Sequence, residues 1–178
     1  NESIRRDAAV VIYNASPSIR RTVIENAEFG VFAYRSSNPL VDSVSFINLS
    51  RAPVAFSMSA NPTLTNITLT NVGWRALGLL GRNVSANGSV LRRNVAGFTN
   101  ITYVVFEEIN INQGTQVDIQ DGVVIKFADA GSRLLVEGSL RTLGTALNKV
   151  IFTSMKSDNV GNPGDTNGDG AASSPNRG

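Results

Sequence analysis

The residues best suited by type and spacing to do chemistry lie late in the chain, in Asp165-Thr-Asn167-Gly-Asp169-Gly170. Side-chain oxygens at the first, third and fifth positions, with Gly at the sixth for the reversal, match the opening of an EF-hand-type calcium loop. Alternate residues of such a loop turn inward, so Asp165, Asn167 and Asp169 are the expected ligands of one Ca2+ ion. At the twelfth position Asn176 stands in place of the bidentate Glu. The Ala171 carbonyl, together with Asp158 or another carboxylate, is the candidate to complete the shell. An all-oxygen set suits calcium, whereas zinc prefers the His and Cys that the chain lacks altogether.

Other chemistry is thinner. Without His or Cys there is no imidazole base, no thiol nucleophile and no disulfide. A glycosidase needs two carboxylates about 5–9.5 Å apart. Glu107 and Glu108 are neighbours on a predicted strand and point to opposite faces, Asp118 alternates outward, and Asp121-Gly122 reads as a turn. No catalytic residue is therefore assigned. Trp74, the sole tryptophan, stands at repeat positions near Phe29, Phe32 and Tyr34, which favours core or turn packing over stacking on a sugar. The Asn-x-Ser/Thr sequons at Asn14, Asn48, Asn66, Asn83, Asn87 and Asn100 fit a chain rich in Asn and Thr.

The charge pattern narrows the partners. Thirteen Arg and three Lys against 14 carboxylates leave a net charge of +2, and the arginines are scattered. Nucleic-acid binders gather such residues on one face, so no nucleic acid is expected. No run approaches the ~18 apolar residues of a membrane-spanning helix. At 178 residues the chain has the size of one domain or of one section of an array.

The elements that must position the loop show themselves as a repeat. Three segments begin at Pro17, Pro39 and Pro62 and end at Asn26, Asn48 and Asn71, spaced 22 and then 23 residues apart. Apolar positions align within them: Ile19/Val41/Leu64, Thr22/Val44/Ile67 and Ile24/Phe46/Leu69. Beyond the Asn, Val31/Val54/Leu77 and Ala33/Phe56/Leu79 align as well. Alternating β-branched residues read as short strands with one buried face, and Asn and Pro as the turns between them. Helical repeats are longer and poorer in Pro, Thr and Val. An all-β solenoid of about 22 residues per coil follows, and 178 residues would supply about eight coils. In this alignment Arg20 lies over Asp42, as an exposed ion pair, and no carboxylate lies over another.

These coils resemble the right-handed parallel β-helix repeats of the pectin-lyase-like superfamily over roughly residues 9–80. A second stretch, Leu134–Thr145 with Ile151-Phe-Thr-Ser154, is similar to coils of large bacterial surface and secreted β-helix proteins. The resemblance implies a right-handed helix, Asn side chains stacked inside a turn at Asn26, Asn48 and Asn71, and an exported protein. It also names a lyase chemistry with an Arg-x-Pro-x-x-Arg stretch, which Arg51-Ala-Pro53 begins but does not complete.

The expectation is thus a parallel β-helix over 1–156, irregular near 81–98, followed by a Gly/Asn/Asp-rich loop or tail over 157–178. The chain is expected to be part of a larger extracellular or cell-surface protein. Its expected role is structural or adhesive, with carbohydrate or neighbouring subunits at the open solenoid ends as partners. The alternative is part of a polysaccharide lyase or glycoside hydrolase.

Overall fold

The computed structural model describes residues 7–170 and 172–175. The first half of the chain forms β1 (Ala8–Tyr13), β2 (Ser18–Glu25), β3 (Phe29–Tyr34), β4 (Leu40–Leu49), β5 (Val54–Ser57), β6 (Thr63–Thr65), β7 (Thr68–Val72) and β8 (Leu77–Leu80). Next come β9 (Asn83–Val84), β10 (Gly88–Val90), β11 (Tyr103–Val105), β12 (Glu108–Ile111), β13 (Gln116–Ile119) and β14 (Val124–Phe127). The series closes with β15 (Arg133–Val136), β16 (Ser139–Thr142) and β17 (Ile151–Ser154). Strands pair in parallel with strands one coil away, which makes a solenoid of about six turns. No helix among the described residues is long and apolar enough to cross a membrane.

One sheet, here called the long sheet, runs the whole length in the order β1-β3-β5-β8-β11-β14-β17. In the first coils it faces a second sheet, β2-β4-β6 with β7. From β8 onward that partner is replaced by two three-stranded sheets, β9-β12-β15 and β10-β13-β16. The cross-section therefore changes from two walls to three. The stretch 81–98 contains β9, β10 and a Val95/Phe98 bridge, which carry out this change. Six turns replace the expected eight because coils lengthen here. Leu77 pairs with Tyr103 and Val124 with Ile151, and residues 157–170 form no coil at all.

The aligned positions pair as expected: Ile19 with Val41, Ile24 with Phe46, and Phe46 with Leu69. Phe46 is fully buried among them, which stabilises the fold by roughly 1.5–3 kcal/mol. The inward positions are spaced three and then two apart because Arg21, Ser43 and Asn66 adopt left-handed φ of 50°, 56° and 52°. That residue turns the strand and resets which side chain faces the core.

Asn26, Asn48 and Asn71 also stack, with Asn48 Nδ2 donating to Asn26 Oδ1 at 3.2 Å and Asn71 Nδ2 to Asn48 Oδ1 at 2.8 Å. Contrary to the resemblance, all three are exposed on the outside of the turn. Their left-handed φ of 57°, 53° and 51° turns the side chains outward, and Asn tolerates that region better than other non-Gly residues. Arg20 departs from its expected pairing too. Its Nε donates to Ser18 Oγ, while Asp42 accepts from Thr65 Oγ1 and Asn66 Nδ2 of the next coil. Those two bonds hold the Asp42 carboxyl below its usual range, with Arg20 adding a weaker attraction.

The long sheet is buried on both faces. Inward, Val31, Val54, Leu77 and Tyr103 fill the solenoid core. Outward, Phe32, Ala55, Val104 and Lys126 are fully buried as well. Such doubly covered strands read as continuous apolar runs, as in Phe29–Tyr34. Over β3 and β5 the cover is aromatic: Phe29, Phe32 and Phe106 pack together, with Trp74 edge-on to Phe29 at 5.8 Å. The Phe106 ring lies where a Cβ on Gly78 would come within 2.9 Å of it, so the row must be side-chain-free at that point. Over β11 and β14 the cover is Met155 and the loop that follows it.

Candidate metal centre

Residues 157–170 leave β17 and run back across the outer face of the long sheet. Lys126 on β14 donates from Nζ to the carbonyls of Ser157, at 2.6 Å, and Gly164. Before β11, the Thr102 amide donates to the Asn162 carbonyl at 3.1 Å, and the Asn162 amide returns a bond to Thr102 Oγ1 at 2.8 Å. Before β8, the Arg75 amide donates to the Thr166 carbonyl at 2.9 Å. Gly161, at φ 98°, lies so close to Thr102 that an added Cβ would sit 2.3 Å from its Oγ1.

This crossing path gathers the acidic residues. One carboxylate oxygen from each of Asp158, Asp165 and Asp169 lies within 4.8 Å of the others. Calcium–oxygen distances of about 2.3–2.6 Å place ligands on opposite sides of an ion about 5 Å apart, so the cluster has the right span. Asp165 is braced by Arg75, whose Nη2 donates to its carbonyl at 2.8 Å and lies 3.4 Å from Oδ2. The Gly170 amide also donates to Asp165 Oδ2, while Asn167 Nδ2 and Ser173 Oγ both donate to Asp169 Oδ2. These bonds use Oδ2 of Asp165, Oδ2 of Asp169 and the amide nitrogen of Asn167. The remaining Oδ1 atoms of Asp158, Asp165 and Asn167 are shielded from solvent and accept no hydrogen bond. A shielded acceptor without a partner costs about 1–3 kcal/mol, and a carboxylate more.

Asp165 and Asp169, two of the three expected ligands, thus come together with Asp158, while Asn167 is tied to Asp169 through its amide nitrogen. Ala171 and Asn176, which continue the loop motif, lie outside the described residues. The donors are all hard oxygens, a set that suits Ca2+ better than Zn2+, which prefers His and Cys. Two basic residues flank the cluster and show no signal in the loop motif. Arg75 lies 90 residues upstream of Asp165. Lys126 is legible in hindsight as the one charge within Val123-Val-Ile-Lys-Phe127. Burial pushes its ammonium pKa down, and the charges of Asp158 and Asp165 pull it part of the way back. Three carboxylates against these two cations leave the cluster with about one net negative charge.

Elsewhere, carboxylates serve as ties between coils. Arg141 binds Asp118 through two bonds of 2.8 and 2.6 Å, and these hold the Asp118 carboxyl below its usual range. Arg133 pairs with Glu108, Arg51 with Glu28 at 3.0 Å, and Glu107 Oε1 accepts the Gly81 amide at 2.7 Å. One face of Trp74 is covered by the Arg51 guanidinium, 5.0 Å from the ring centre. Among the sequon asparagines, the side chains of Asn48, Asn66, Asn87 and Asn100 are engaged in hydrogen bonds. No protein-family model, curated protein or solved structure matches this chain.

Proposed function

We propose that this chain is a non-catalytic structural or adhesive segment of an exported β-helix protein, with a calcium site in loop 157–170. One observation carries the reading. The shielded, unpartnered oxygens of Asp158, Asp165 and Asn167 lie in a loop where three carboxylates are already held within calcium-ligand span. A cation supplies the partner that these oxygens lack. The ligand chemistry favours Ca2+ through Asp158, Asp165, Asn167 and Asp169, and the flanking Arg75 and Lys126 keep the affinity low. Affinity of about 10⁻⁴–10⁻³ M suits extracellular calcium, which agrees with a surface or secreted setting.

The scaffold half of the reading is supported by the use of side chains as coil-to-coil ties at Asp118–Arg141, Glu108–Arg133 and the asparagine stack. The likeness to pectin-lyase-like coils, and the right-handed sense that goes with it, belongs to this proposal. So do carbohydrate or neighbouring subunits as partners.

Calorimetry at millimolar calcium tests the site. Wild type should release heat with a dissociation constant of about 0.1–1 mM, and the Asp165→Ala/Asp169→Ala double variant should release none above dilution. Equal heats from the two proteins would sink the proposal.

A further inference from the structure

Loop 157–170 lies crosswise over the coils, and directional bonds hold it there. The carbonyls of Ser157 and Gly164 receive Lys126, that of Asn162 receives the Thr102 amide, and that of Thr166 receives the Arg75 amide. Val160 and Pro163 are the only aliphatic side chains in the loop, so apolar burial contributes little to its docking. Beneath it, Ala76, Thr102, Val104 and Lys126 are fully buried.

A closed, cation-free loop brings three like charges within 4.8 Å. It also leaves three shielded oxygens without donors. Both conditions favour opening, and a bound cation removes both. We infer, resting on the calcium reading above, that this loop is a calcium-closed clasp. Occupancy pins it across β8, β11 and β14, and calcium removal lets it lift and uncover the outer face of the long sheet.

The Arg75 and Thr102 amides report the closed state, because each donates to a clasp carbonyl. The Val31 amide, which donates to Pro53 between coils, reports the solenoid itself. Amide hydrogen exchange should be measured on wild type in millimolar calcium chloride and in EGTA, alongside calorimetry. Exchange at Arg75 and Thr102 is expected to be at least tenfold faster without calcium, with Val31 unchanged. In the calcium-free Asp158→Asn variant, which has one repelling charge fewer, both amides should exchange more slowly than in calcium-free wild type.

A calorimetric heat accompanied by identical exchange in calcium and EGTA overturns the clasp and leaves the metal site standing. No heat overturns the metal site, and the clasp with it. Calcium-free Asp158→Asn exchanging as fast as calcium-free wild type overturns charge repulsion as the opening force.

Discussion

Tyr103 shows how one side chain can tie the core to the alkaline stability of the whole chain. It is fully buried on β11, and its hydroxyl donates to the Leu91 carbonyl at 2.6 Å. Burial pushes its pKa from 10.0 up to about 12, against a smaller opposing pull from Arg93. Above pH 10 the unfolded chain loses this proton while the folded chain keeps it, so stability falls as pH rises from 10 to about 12. The loss should total about 2–3 kcal/mol. Urea unfolding from pH 9 to 12 should show this decline in wild type and a shallower one in Tyr103→Phe. Parallel declines would mean that Tyr103 does not report its burial this way.

Residue chemistry was unevenly legible. Asp165, Asn167 and Asp169 announce themselves by alternation around Gly170, and Asp158 lies close by in sequence. Arg75 and Lys126 reach the cluster through the solenoid, and no local spacing encodes contacts made across coils.

Among the elements, the strands were the most legible part, because side chains that stack at one-coil intervals must match in polarity. Ile24, Phe46 and Leu69 pair in the register that the repeat specifies. The direction of the asparagine stack was not legible. It follows from the left-handed backbone at these residues, which the repeat pattern does not specify, and here the stack faces solvent.

This gives a test at Asn48, which takes part in two stack bonds and holds φ 53°. Asn48→Ala should cost about 1–3 kcal/mol, since it loses exposed hydrogen bonds and places a Cβ-bearing residue in the left-handed region. Asn48→Gly loses the same bonds without that backbone penalty and should be the more stable of the two by thermal melting. Gly no better than Ala would remove backbone conformation from the account. The outer cover of the long sheet was half legible. The unbroken apolar runs of β3, β5 and β8 signal burial on two faces, but they do not say that a polar loop does part of the covering.

At the scale of the molecule, the change from two walls to three limits where the solenoid can grow. Val31 pairs with Val54 in the two-walled half, so a second copy of residues 31–53 inserted after Pro53 adds one coil in register. The same copy inserted after Thr102 brings a two-walled coil between β8 and β11, and it separates β12 and β13 from their partners β9 and β10. Circular-dichroism melts should show the first insertion unfolding at or above the wild-type temperature and the second several degrees below it. Equal melting of the two would show that the cross-section is no constraint. The expected count of eight coils failed at this scale, because a period read from three early repeats does not register the longer coils that follow.

The crosswise path of loop 157–170 also bears on mechanics. Pulled from one end, a solenoid gives way rung by rung, since each coil is loaded in turn and only nearest neighbours share the load. A segment bonded at once to Lys126, Thr102 and Arg75 runs in parallel with those rungs, like a tie bar across a stack of plates. The coils beneath it must then yield together. If the loop closes on calcium as proposed, the same ion would set the force at which they do.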